Sequence, residues 1–369
     1  MYKDKLVIDT HGHISTPPHF RAYAYNLIAL RSPGGDFQLP EAPLKMALDR
    51  HLRLLDERKI DVQLISPRPV AMMHWEQPFI VDHWTEVTNN VIAQQCKMHP
   101  TRFVGVGQLP QTPDLNMDKC LDELERCIGE LGFVGVLVNP DPGGNRQSPG
   151  LDKKEWFPLY AKAQELDVTL VIHPSGTFDT RLNGIPHPYQ YNNLTEETLA
   201  TMLLLHSDVF DRFPELKIMV CHCGGALRRI MEVGDVVDCS QPSRNKDNVA
   251  YPSGEAAGGQ VGMVGLVEES HIPRDLSQNL FFDTCAYDPV FLEAAIKQIG
   301  PDSMVFGTET PGAGSATMNP VTGKPSDDIL ATIDSFDFLS EKQKIDLVHE
   351  NPQRVFSRLA DRFKVQGIR

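Results

Sequence analysis

The chain has 369 residues, 41% of them hydrophobic and 23% charged, with a formal net charge of -14. That length is ample for a large buried core, and so acidic a surface repels phosphate backbones, which argues against nucleic acid as a partner. An anionic small molecule is not excluded, since a basic pocket can sit inside an acidic shell.

The first β-rich run is LVIDT from Leu6, behind an N-terminus that lacks an apolar signal core. A stretch near residues 16–43, rich in Pro, Gly and aromatics, follows as an insertion. LKMALDRHLRLLDERK then carries apolar residues at three- and four-residue spacing, which predicts an amphipathic helix. VQLIS from Val62 and FVGVGQ from Phe103 read as strands, and MDKCLDELERCIGELG as a second helix, with Gly129 and Gly132 placed for a left-handed cap. VGVLVN from Val134, TLVIH from Thr169 and KIMVCH from Lys217 continue the series. A Gly- and Ser-rich insertion near 241–274 separates them from LFFDT at Leu280 and MVFGT at Met304.

These eight runs are almost continuously apolar, as strands buried on both faces should be. Eight of them alternating with helices predict an α/β fold, a distorted (β/α)8 TIM barrel forming one domain over 1–369; a doubly wound open sheet is the competing pattern. Seven scattered cysteines do not read as a disulfide framework, and no apolar run spans a bilayer. The expectation is a soluble, cytoplasmic protein without a membrane partner.

Barrels gather their chemistry at the C-terminal ends of the strands. His11 and His13 lie there on the first run, two residues apart and so on one side of a regular strand. Alone the pair is a weak signal, because either histidine also fits as a hydrogen-bonded core residue. The other strand ends strengthen it: TLVIHP ends on His173, KIMVCHCGG on His222 and MVFGTETPG on Glu309. Imidazole and carboxylate ligands suit zinc or manganese. Cys221 and Cys223 flank His222 and by alternation point away from it, which reads as packing. Asp9 and Asp283 are polar residues inside apolar runs; Asp283 reads equally as an orienting partner for a histidine or as a strand-end cap. Arg68, after the second strand, is placed to hold a carboxylate; Asn139, Asp141 and Arg146 follow the fourth strand. His74 and Tyr191 follow the second and fifth strands and read as proton or hydrogen-bond donors or as loop packing.

DTHGH, VIHP, CHCGG and FGTE, in this order, resemble the amidohydrolase superfamily, specifically its decarboxylase and hydratase branch. The similarity runs from Ile8 to ENPQRVF at Glu350–Phe356. It implies a TIM barrel with one divalent metal, usually zinc. The chain departs from the superfamily on the eighth strand, where Glu309 stands in place of the usual Asp. With SPRPVAMMH, VLVNPDPGG and HENPQRVF, that departure resembles the hydratases that act on 4-oxalomesaconate in aromatic breakdown. The two insertions fit that subgroup less well.

The resemblance implies Zn²⁺, with Mn²⁺ as the other candidate, held by His11, His13, His173 and Glu309. For hydration, Glu309 is the candidate general base, His222 and Tyr191 are candidates for acid or polariser, and Arg68, His74, Asn139 and Arg146 are candidates to surround a small carboxylate substrate. Relatives in this branch imply a homo-oligomer. A metal-dependent decarboxylase of a hydroxybenzoate-like acid is the second reading, and a hydrolase or a non-catalytic binding protein stands behind it.

Overall fold

A computed structural model describes residues 1–32, 37–226, 277–320 and 322–368. The insertion near 241–274, with Cys239, lies outside the described residues. The eight apolar runs form eight strands: β1 (Ile8–His13), β2 (Val62–Ser66), β3 (Phe103–Gln108), β4 (Gly135–Val138), β5 (Thr169–Ile172), β6 (Ile218–Val220), β7 (Leu280–Asp283) and β8 (Met304–Val305). All are buried along their length, as their lack of a polar face requires. They pair in chain order and every pair is parallel. Thr10 N–H donates to Phe306 O at 2.8 Å and Glu309 N–H to His11 O at 2.7 Å, which brings the chain after β8 back against β1. The architecture is a (β/α)8 TIM barrel.

Alternate residues divide into two cores. Val62, Leu64, Val104, Val106, Leu137, Val171, Met219 and Phe281 fill the lumen, and Val355, Phe356, Leu359 and Phe363 of the C-terminal segment pack with them. The other residues of each strand face the helices. α1 (Pro18–Leu30), α2 (Glu41–Glu57), α3 (Pro78–Met98), α4 (Met117–Gly129), α5 (Phe157–Glu165) and α6 (Pro188–Leu205) lie along the first two thirds of the chain. α2 buries Leu44, Leu48, His51 and Leu55, the stripe its spacing predicts. Gly132 takes the left-handed cap conformation at φ 68° and Gly129 ends the helix itself.

The stretch at 16–43 is not a plain loop. It contains α1, which starts on Pro18 and buries Phe20, Ala24 and Leu27. Phe20 stacks on Trp84 of α3 at 4.6 Å between ring centroids. That four- then three-residue spacing is helical, and the surrounding prolines and glycines obscure it.

On the outer face of β3, Gly105 lets Phe133 lie against the strand: a Cβ there would sit 2.2 Å from the Phe133 ring. Phe133 is 2% exposed and has no room to retreat. Gly105→Ala therefore costs about 1–3 kcal/mol of stability, the usual penalty for overpacking. A urea midpoint equal to the wild type's would show that the ring moves freely.

Candidate metal centre

β1 is not a regular strand. Asp9 pairs with Gln63 but Gly12 with Ile65, so β1 holds one extra residue in this interval. A bulge of this kind flips the strand's faces. Ile8 points into the lumen and Asp9 outward, yet His11 and His13, of the same parity as Asp9, reach inward. The sequence-based expectation that the pair shares the barrel mouth is met, but through the bulge.

His173, just beyond β5, keeps the inward parity of Val171. His11, His13 and His173 have centroids 5.1–5.4 Å apart, and their ligand atoms lie within 4.8 Å of one another. Their outer nitrogens are all engaged. His11 Nδ1 meets Asp283 Oδ2 at 2.6 Å, His13 Nδ1 meets Ser66 Oγ at 2.8 Å, and His173 Nδ1 meets the carbonyl of Pro174 at 2.8 Å. A carbonyl only accepts, so His173 carries its proton on Nδ1. The Ser66 hydroxyl gives its own proton to Gly12 O at 2.9 Å, so His13 Nδ1 is also the donor. That leaves Nε2 lone pairs on His13 and His173 facing His11 Nε2, and all three Nε2 atoms are buried and without a hydrogen-bond partner. Burial, reinforced by the neighbouring imidazoles, holds the pKa of His13 and His173 well below the ordinary value, so both are neutral. Unpaired buried lone pairs converging on one point are costly unless a cation occupies it. The donor set thus fits a divalent ion of the zinc or manganese kind.

Glu309 stands at the edge of this cluster. Its Oε1 lies 3.9 Å from His13 Nε2, and its Oε2 accepts from the Tyr287 hydroxyl at 2.8 Å. Tyr287 was not among the residues expected from sequence. It lies four residues past β7, and the only cue was a tyrosine on a strand-end loop.

Asp283 fulfils the orienting alternative. Burial opposes its charge, yet contact with His11 holds its carboxyl below the usual range. Removing such a partner typically weakens metal affinity 10- to 100-fold. Asp283→Asn is expected to show a loss of about that size in chelator competition; unchanged affinity would mean that Asp283 only fills space.

His222 reaches the cluster by an unexpected route. On β6 the inward residue is Met219, and the next of that parity is Cys221, which comes within 4.8 Å of His11 and Asp283 ligand atoms. The expectation that the cysteines point away from the site fails for Cys221. His222 faces the site because the chain turns: His222, Cys223, Gly224 and Gly225 all have positive φ, from 50° to 75°. A Cβ on Gly225 would lie 2.3 Å from Leu194 O, so the turn requires glycine there. The His222 ring then sits 5.1 Å from both His11 and His173. Its Nδ1 meets Glu197 Oε1 at 2.7 Å. Burial opposes a charge on His222, but the Glu197 carboxylate outweighs it and raises the pKa to about 10. Burial in turn lifts Glu197 to about 7, with His222 opposing. In this pair the proton belongs to His222. Glu197 lies inside α6, a polar residue on a helix with no distinguishing motif around it.

Arg68 donates to Ile14 O at 3.2 Å and Pro311 O at 3.1 Å, which brings it beside β1 and the chain after Glu309. The other expected groups are placed differently. His74 is fully buried, with Nε2 on Leu109 O and Nδ1 on the Asn139 amide, so each satisfies the other inside the protein. Arg146 is committed to Glu196 at 2.8 Å and Asp179 at 3.5 Å, and its backbone to Asp141. Tyr191 lies on α6 rather than on a loop, with 53% of it exposed, and no ring contact links it to the histidines among the described residues. The six described cysteines are buried and unpaired. No helix among the described residues is long and apolar enough to cross a membrane.

The chain is 31% identical over 371 residues to the 2-keto-4-carboxy-3-hexenedioate hydratase of Sphingobium sp., covering 98% of this chain and 99% of the relative. The crystal structure of a 4-oxalomesaconate hydratase from Rhodopseudomonas palustris matches with a TM-score of 0.79 at 26% identity, over 98% of this chain and 99% of that one. A gamma-resorcylate decarboxylase of Polaromonas sp. is 33% identical over 276 residues, 71% of this chain and 76% of the relative. With the amidohydrolase family model matching residues 8–358, the chain belongs to the amidohydrolase family.

Proposed function

We propose that this protein is a metal-dependent hydro-lyase that adds water across the double bond of an unsaturated keto-polycarboxylate of the 4-oxalomesaconate type. The carrying observation is Glu309, a carboxylate set beside three convergent imidazoles with the Tyr287 hydroxyl on its far oxygen. The full-length similarity to a hydratase supports the same reading.

His11, His13 and His173, with Glu309 at their edge, would hold a divalent cation of the zinc or manganese kind. A bound divalent ion supplies Lewis acidity, easing loss of a proton from water and drawing charge from a carbonyl oxygen. Glu309 takes the proton of the attacking water as general base. The new C–O bond forms at the carbon remote from the ketone, and the double-bond electrons move to the carbonyl side as an enolate. His222, protonated through its pairing with Glu197, faces that charge and delivers its proton to the adjacent carbon. Arg68 anchors a carboxylate. Tyr287 orients Glu309 through its hydroxyl.

Decay of the conjugated chromophore of 4-oxalomesaconate, with the hydrated product identified by mass, tests this. The second reading, decarboxylation of a hydroxybenzoate-type acid, rests on the similarity to a gamma-resorcylate decarboxylase. Carbon dioxide release from 2,6-dihydroxybenzoate, with no hydration of the ketoacid, would select it instead.

A further inference from the structure

Glu309 has a φ of 60°, a left-handed conformation that a residue with a side chain keeps only where its surroundings impose it. The contacts that impose it come from outside the lumen. Asp9, fully buried on the outer side of the β1 bulge, accepts four hydrogen bonds. Two come from the backbone N–H groups of His11 and Thr308, each at 3.0 Å. The other two come from the Thr308 hydroxyl at 2.6 Å and the Gln63 amide at 2.7 Å. The Thr308 hydroxyl also accepts from Thr310 N–H at 3.1 Å, and the Gln63 amide donates again to Thr310 O at 2.7 Å. The residues on both sides of Glu309 are thus tied to β1 and β2, while its own N–H holds His11 O.

We propose that Asp9, Gln63 and Thr308 are positioning residues. They clamp the Glu309 backbone in its left-handed conformation and keep its carboxylate beside His13. This rests on the reading of Glu309 as the reacting carboxylate. None of the three faces the lumen, so they act through Glu309 and the β1 ligands. The clamp joins both halves of the site, because the Asp9 carboxylate that holds Thr308 also holds the backbone of His11. Gln63 is oriented in turn by His51 of α2, whose Nε2 meets its amide oxygen at 2.8 Å. Position 63 needs one acceptor and two donors, which an amide supplies. A glutamate would set an oxygen against both the Asp9 carboxylate and the Thr310 carbonyl.

The test compares Thr308→Val, which keeps the shape and removes the hydroxyl, with Thr308→Ser, which restores it, and adds Gln63→Glu and Glu309→Gln. The probes are hydration of 4-oxalomesaconate, zinc affinity by competition with a chromophoric chelator, and the melting temperature. Thr308→Val is expected to lower kcat about 10- to 100-fold, leave KM near the wild-type value and weaken zinc binding about tenfold. Thr308→Ser is expected to recover most of both, and Gln63→Glu to follow Thr308→Val. A Thr308→Val enzyme with wild-type kcat and zinc affinity, alongside an inactive Glu309→Gln, overturns the clamp and leaves the role of Glu309 standing. Equal losses in Thr308→Val and Thr308→Ser also overturn it, since the hydroxyl would then not be the cause. A fully active Glu309→Gln overturns the reading of Glu309 and the clamp with it.

Discussion

Glu309→Gln is expected to lower kcat for hydration about 10³-fold, inside the range of 10² to 10⁴ typical of a positioned general base. At about 1.4 kcal/mol per factor of ten, that is roughly 4 kcal/mol of lost transition-state stabilisation. The amide has the size of the carboxylate and still accepts from Tyr287, so the surroundings change little. What it cannot do is take the proton of water. The three imidazoles keep their Nδ1 partners, so metal content should fall far less than turnover. Kinetics and metal analysis on the same sample separate the two effects. More than a tenth of wild-type turnover in a metal-replete variant would remove Glu309 from the chemistry.

His222→Asn is expected to lower kcat by a similar factor, about 10²- to 10⁴-fold, with the metal retained, because Asn cannot deliver the proton. The pairing with Glu197 adds a pH signature. A general acid works while protonated, so activity holds below its pKa and fades as pH rises through it. For His222 that point is raised to about 10, burial opposing and Glu197 prevailing. Glu197→Gln removes the prevailing charge, and the alkaline limb of the kcat/KM profile should move to lower pH. A limb that stays in place would assign the ionisation to another group.

Much of the fold was legible because of how a parallel barrel buries its strands. A strand covered on both faces has no polar alternation, so each run stands out against the amphipathic helices. The strand-end histidines at 11, 13 and 173 were legible for a related reason: a barrel points the ends of its strands at one site. Glu309 was legible as a carboxylate at the end of the eighth run. α1 was missed because prolines and glycines around it read as loop.

The hydrophobic order of the chain determined the eight strands, the lumen and the four strand-end groups. Which face each group presents was decided in three dimensions. One extra residue in β1 turns His11 and His13 inward, and four left-handed residues after β6 bring His222 round while Cys221 takes the inward place. The partners of these side chains, Glu197 on His222, Asp283 on His11 and Tyr287 on Glu309, arrive from other elements of the barrel. His74 and Asn139 satisfy each other, and Arg146 is taken by carboxylates, for the same reason. A buried polar group must find its complement among whatever the closed barrel places beside it, and one-dimensional spacing does not record those neighbours.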